Sequence, residues 1–171
     1  MSNTLKVTID EECFINGMDL GGRKTITVST GINQFTRQVK TTDGTELSTL
    51  VVFDSASPAA YTGAAQYDSE KVRYIRITNL SRDVDAMLHF HGGQGNGSHQ
   101  NAYFSLPANT SMMIFGNVDT SSPGSDKTGV TKSFAVLSTG DGDKATTLRS
   151  LDQINAVTAS DIQIETIVAT V

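Results

Sequence analysis

The stretch that most constrains the fold is residues 71–80, KVRYIRITNL. Large apolar or aromatic side chains recur within it, interrupted only by Arg73 and Arg76; they are Val72, Tyr74, Ile75 and Ile77. A short run rich in β-branched and aromatic residues that ends in turn residues predicts a strand that is apolar on both faces. Such a strand belongs in the middle of a sheet.

A second strand is predicted over residues 86–91, AMLHFH. Successive side chains of a strand point to opposite faces, so the apolar residues of this segment share one face and Met87, His89 and His91 share the other. We expect the rest of the chain to be built outwards from these two strands.

The composition predicts one all-β domain over residues 1–171. The chain is 37% hydrophobic and 18% charged, so it is polar without being charged enough for disorder. Its polarity comes from Ser, Thr, Asn and Gly, which is typical of a β protein with many turns. Roughly ten short strands at this spacing predict an antiparallel β-sandwich, jelly-roll-like, with little helix.

The N-terminal segment predicts a hairpin. Residues 4–10 alternate as a half-buried strand, residues 13–15 continue it, and Asn16-Gly17 is a typical hairpin turn. The single cysteine, Cys13, excludes an internal disulfide and is expected to be a small buried hydrophobe. Residues 34–40 are predicted to form a strand, because Phe35, Arg37 and Val39 repeat the same alternation. Residues 161–171 are predicted to form another strand.

Charge and hydropathy exclude several partners. The net charge is −5 and no dense Lys/Arg cluster occurs, so a phosphate backbone would be repelled and nucleic acid is not an expected partner. No apolar run approaches membrane length and no secretion signal is visible, so we expect synthesis in the cytosol and no membrane partner. The long polar connections over residues 54–69 and 118–132 predict a homo-oligomer, with a trimer favoured, or a chain ordered on a partner surface.

The best candidate for chemistry is the pair His89 and His91, followed by His99. Two histidines at i and i+2 share a face of a strand and could grip one metal ion. A cupin-type jelly-roll enzyme has a Glu a few residues after such a pair and a later His, whereas this chain has Gln94 and no Glu there, and no His follows His99. Three interpretations stay open: a polar strand face, which we favour, a metal-dependent jelly-roll enzyme, and a metal site shared by three copies of a trimer. We expect no cofactor, no catalytic residue and no metal ligand.

Two phrases carry a family resemblance. Residues 72–80, VRYIRITNL, are followed at residues 103–116 by YFSLPANTSMMIFG. They resemble the phrases V-K-Y-I-R-I-T-N and F-x-L-x-A-G-x-S-F-I-L-G of small virion structural proteins of tailed bacteriophages, especially marine cyanophages. The matching positions of the second phrase are Phe104, Leu106, Ala108, Ser111, Ile114 and Gly116, while Asn109 stands where a Gly is usual. The start of the chain and its apolar end are also similar to the family.

The resemblance implies a non-enzymatic part of the virus particle. The leading expectation is a head decoration, knob or cement protein that binds the major capsid protein or other virion proteins at the outer surface of the head. A tail or neck accessory protein of the same virion is the alternative within that family. The metal-dependent enzyme is the alternative from a different class.

Overall fold

The computed structural model describes residues 3–53, 65–67, 71–93, 99–115 and 151–171. These residues form strands and no helix, which confirms the all-β prediction. The strands are β1 (Thr4–Glu11), β2 (Phe14–Ile15), β3 (Met18–Asp19), β4 (Gly22–Thr30), β5 (Gln34–Thr41), β6 (Ser48–Phe53), β7 (Ala65–Tyr67), β8 (Val72–Asn79), β9 (Ala86–Gly93), β10 (His99–Leu106), β11 (Ser111–Phe115), β12 (Leu151–Thr158) and β13 (Gln163–Thr170). In these ranges, no helix is long and apolar enough to cross a membrane.

Two larger sheets form a β-sandwich. One has the strand order β10-β9-β12-β6-β7 and the other the order β11-β8-β13-β5. Neighbouring strands are antiparallel except for β6 and β7, which pair in parallel. The short strand β7 lies within the connection that was predicted to be an irregular loop. The remainder of that connection and the predicted loop over residues 118–132 lie outside the described residues, and the jelly-roll connectivity stays a prediction.

The main core lies between the two sheets and is organised by β8 and β9. Ile75 and Ile77 of β8 are fully buried, as are Leu88 and Phe90 of β9, and all four belong to one apolar cluster. The two strands belong to different sheets and face each other across that cluster. Their predicted central position and the predicted inward face of β9 are therefore confirmed.

The other face of β8 is also buried, as the sequence predicts. Tyr74 belongs to a second apolar cluster with Ile32, Ile167 and Ala169 on the outer face of the four-stranded sheet. Side chains of the two-stranded β1–β4 ribbon pack against this cluster; they are Leu5, Val7 and Val28. The base of the ribbon thus covers the outer face of β8.

The ribbon continues into a long hairpin, residues 4–30, here called the arm. Its turn is Asn16-Gly17, whose φ angles of 52° and 80° are those of a two-residue type I′ turn, as predicted. The prediction for Cys13 is wrong: β1 ends at Glu11, and Cys13 is exposed between β1 and β2. Within the described ranges, no second sheet packs against this part of the hairpin beyond the ribbon base, so alternation does not lead to burial.

The apolar residues of β5 also differ from a simple alternation rule. Phe35 and Val39 are 56% and 47% exposed, while Thr36 and Gln38, which point to the opposite face, are half-buried. The strand lies at the edge of the four-stranded sheet, where the arm base does not cover its outer face. Two large apolar side chains therefore remain exposed at this edge, one on each side of Arg37.

Polar residues close two of the turns. Asn79 is fully buried at the end of β8, and its side-chain amide donates to the carbonyl oxygens of Val84 and Leu106 at 2.8 and 3.1 Å. Asn109, in the turn between β10 and β11, has a φ of 55°. Glycine favours this left-handed conformation and asparagine tolerates it, so an Asn suits the turn that places it there.

Replacing Ile75 by Asp is expected to unfold the protein. An unpaired carboxylate in a core costs several kcal/mol at least, comparable with the roughly 5–15 kcal/mol that stabilise a typical domain. The control Thr27→Asp, at an exposed position of β4, should change the free energy of unfolding by about 0.5 kcal/mol or less. Circular dichroism and urea unfolding measure both, and a folded Ile75→Asp protein with a normal midpoint contradicts the buried position.

Candidate functional site

His89 and His91 lie on the outer face of the five-stranded sheet, opposite the core-facing residues of β9. Their ring centroids are 6.0 Å apart. His89 is nevertheless only 8% exposed, whereas a simple polar strand face would leave it in water. The prediction that the pair shares a face is confirmed, but the two histidines have different surroundings.

His89 is held by an aromatic contact and two amide side chains. Its ring stacks on Tyr103 of the neighbouring strand, with centroids 4.7 Å apart and planes within 10°. Its Nε2 lies 2.7 Å from Asn101 Oδ1, and its Nδ1 lies 3.4 Å from the amide nitrogen of Asn155. A carbonyl oxygen can only accept, so this arrangement assigns the proton to Nε2 and leaves Nδ1 as the acceptor. Both ring nitrogens of a neutral His89 are then used within the sheet.

His91 has an acidic neighbour. Its Nδ1 lies 3.6 Å from Asp152 Oδ2, and the Asp152 side chain is half exposed. His99 begins β10, where its backbone pairs with Gly93, and its side chain lies outside the described part of the structure. Among the described residues, no group of three or more His, Cys, Asp or Glu side chains is arranged to hold a metal ion.

His89→Gln is expected to lower the free energy of unfolding by about 1–3 kcal/mol, because it removes a ring stack and disturbs two buried hydrogen bonds. The matched change His91→Gln, at the more exposed histidine, should cost roughly 0.5 kcal/mol or less. Urea unfolding of both variants gives the comparison. Stoichiometric metal in the wild-type protein that is lost in either variant would contradict a purely structural role for His89.

A buried carboxylate lies on the outer face of the four-stranded sheet. Glu165 of β13 is 5% exposed and pairs with two guanidinium groups. Its Oε1 accepts from Arg76 of β8 at 2.8 Å, and its Oε2 accepts from Nε of Arg37 on β5. Three adjacent strands are thus joined by one bridge. From the sequence Glu165 belongs to a polar face, and only the strand order reveals its two partners.

The bridge sets the protonation of Glu165. Burial by itself raises the pKa of this carboxyl, but hydrogen bonds from Arg76 and Arg37, together with their positive charges, outweigh burial and hold the pKa below its usual 4.5. A lowered native pKa stabilises the folded state above the usual value, and this stabilisation is lost as the pH falls through the native pKa.

Glu165→Gln is therefore expected to lower the free energy of unfolding at pH 7 by about 2 kcal/mol, because charged hydrogen bonds to two arginines are weakened. Below pH 4.5 the variant should lose stability less steeply than the wild type, since one titrating group is gone. The exposed Glu46 gives the control Glu46→Gln. Urea midpoints at pH 7 and at several values below 4.5 test this; equal pH slopes for wild type and Glu165→Gln would refute it.

The arm ends in an exposed apolar surface, here called the arm tip. It consists of Phe14, Ile15, Met18 and Leu20, which are 71, 52, 63 and 57% exposed. The sequence predicts this hairpin and reads residues 13–15 as the continuation of a half-buried strand, whereas Phe14 and Ile15 are exposed. In the part of the chain that the structure describes, the two-residue strands β2 and β3 pair with each other and with no further strand, so alternation does not lead to burial here.

In the part of the chain that the structure describes, the prominent surface features are exposed apolar side chains, and no group of side chains is arranged to hold a metal ion. His89 is held by contacts within the five-stranded sheet, and the buried carboxylate joins three strands of the other sheet. Large exposed apolar side chains lie on the arm tip, on β5 and on the five-stranded sheet, where they include Tyr103 and Met87. Comparisons of the chain with protein-family models, with curated proteins and with solved structures found no match. Function is therefore argued from these residues themselves.

Proposed function

We propose that this protein is a non-enzymatic structural protein of a tailed-bacteriophage virion, acting as a decoration, knob or cement protein on the outer surface of the head. Its partners are the major capsid protein and further copies of itself. The observation that carries the proposal is the arm tip, a set of large apolar side chains displayed to solvent at the end of a hairpin. Large apolar side chains clustered in one exposed segment are typical of sites of protein association.

The residues of the family resemblance support the proposal by their structural roles. Leu106 and Ile114, which match the second phrase, are core residues at 2% and 3% exposure. The position where the family usually has a Gly is Asn109, and its φ of 55° explains the preference for a residue that tolerates this conformation. The departure from the phrase at Asn109 is thus compatible with the same turn.

The surroundings of His89 favour association over metal-dependent catalysis. A catalytic metal needs imidazole lone pairs directed at an open coordination position. The Nδ1 lone pair of His89 accepts from Asn155, and its Nε2 proton is directed to Asn101. This geometry gives the ring a packing role and removes one ligand from the site that the jelly-roll enzyme hypothesis requires.

The symmetry of a phage head explains how individually weak contacts can hold such a protein in place. Each exposed apolar side chain contributes at most about 1.5–3 kcal/mol when it is fully buried. Several copies bound to one symmetric head, or one oligomer that spans neighbouring capsid subunits, add these contributions through effective concentration. A homo-oligomer, with a trimer favoured, fits this role.

Virions purified from the source of this sequence test the proposal. Mass spectrometry is expected to detect peptides of this chain in density-purified particles, and antibody-labelled electron microscopy should place the label on the heads, with pre-immune serum as the control. Label on the tail or neck would replace head decoration by the tail accessory alternative. Absence from purified particles, with the protein recovered only from the soluble lysate, would overturn the virion proposal.

A further inference from the structure

Two exposed surfaces of the chain are complementary and do not cover each other. One is the arm tip. The other is the outward row of β5, here called the β5 row, formed by Phe35, Arg37 and Val39. Phe35 and Val39 are 56% and 47% exposed, and the Arg37 side chain is 67% exposed. Because both surfaces are open within one chain, their burial against each other needs a second copy.

We propose that the arm tip of one copy packs on the β5 row of another copy, so that the protein self-associates by exchanging arms. The partner is thus a second copy of this chain. The inference goes beyond virion function, since it concerns the purified protein alone and holds wherever the protein resides.

The charges of the two surfaces support this partner. Residues 11–22, which surround the arm tip, contain three carboxylates and no Lys or Arg; the acidic residues are Glu11, Glu12 and Asp19. At the β5 row, Arg37 and Arg76 share the carboxylate of Glu165, so this group of three described side chains carries one net positive charge. The arm tip is therefore acidic and apolar, whereas the β5 row is cationic and apolar. Opposite charges favour contact between a tip and a row over contact between two tips.

The reach of the arm suits an exchange between copies. The ribbon touches the rest of the protein through Leu5, Val7 and Val28 near its base. At about 3.3 Å per residue, Phe14 lies up to about 23 Å along the strand from Val7. Such a contact joins different surfaces of the two partners, so it closes either by reciprocal exchange in a dimer or by rotation into a ring of three.

Self-association of purified variants tests the proposal. Phe14→Ser combined with Met18→Ser changes exposed tip residues. Phe35→Thr combined with Val39→Thr changes the β5 row to β-branched polar side chains, which suit a strand. Each pair is expected to raise the dissociation constant by about 30-fold or more, the effect of losing a central apolar contact. Met87→Ser, at a 48% exposed residue of the other sheet, should leave it unchanged. Analytical ultracentrifugation measures the masses, and circular dichroism verifies folding.

Mixing the two variants separates this contact from the others. A tip variant keeps an intact β5 row, and a row variant keeps an intact tip, so the mixture is expected to form a one-to-one complex although each variant alone is monomeric. A row variant that still self-associates would indicate tip-to-tip contact, and a tip variant that does so would indicate row-to-row contact. Either result overturns the proposal. A wild-type protein that remains monomeric in analytical ultracentrifugation when its concentration is raised about 100-fold also overturns it.

Thiol cross-linking gives an independent readout. Cys13 adjoins the arm tip and is exposed, so Val39→Cys should yield cross-linked dimers with a short bis-maleimide. Val157→Cys is the matched control, because Val157 is 40% exposed on the five-stranded sheet. Cross-linking that is specific to Val39→Cys and abolished by Cys13→Ser supports arm exchange. Equal cross-linking in both cysteine variants, or in neither, contradicts it.

Discussion

The fold depends on the burial of β8 on both of its faces. Towards the sandwich core, Ile75 and Ile77 pack with residues of the facing sheet. Towards the outside, Tyr74 is covered by the base of the arm. A strand with apolar residues on both faces needs two covers, and the arm supplies the second one. The hairpin is therefore a part of the packing of the domain as well as a projection from it.

The β pattern of this chain is readable from sequence because its strongest signals are local. A run such as residues 72–77 has no polar face to offer water, and the Asn16-Gly17 turn needs positive φ angles that few other dipeptides adopt. Strand identity, the central position of β8 and the inward face of β9 follow from such signals. The parallel pairing of β7 with β6 does not, because pairing direction depends on where a connection returns in space.

The errors about burial have one physical origin. Alternation tells which residues share a face, but the neighbours of that face decide whether it is covered. Phe35 and Val39 share a face but are not among the described residues of the second apolar cluster, and Cys13 lies beyond the part of the ribbon that packs on that cluster. Glu165 is the converse case, because a residue on a polar face becomes buried when strands that carry Arg37 and Arg76 lie on either side of it. Partners that are distant in sequence cannot be read from spacing.

The exposure of the arm tip also depends on what the hairpin packs against. A two-stranded ribbon is marginally stable in water by itself, and its stability must come from what it packs against. The base of the arm packs on the second apolar cluster, but the tip leaves that cluster behind and still carries large apolar side chains. Polar residues at these positions would form the same turn with less exposed apolar surface. Retaining Phe14 and Met18 there is understandable if the tip is buried in an assembly, where a hairpin that is already ordered at its base loses little further conformational entropy on binding.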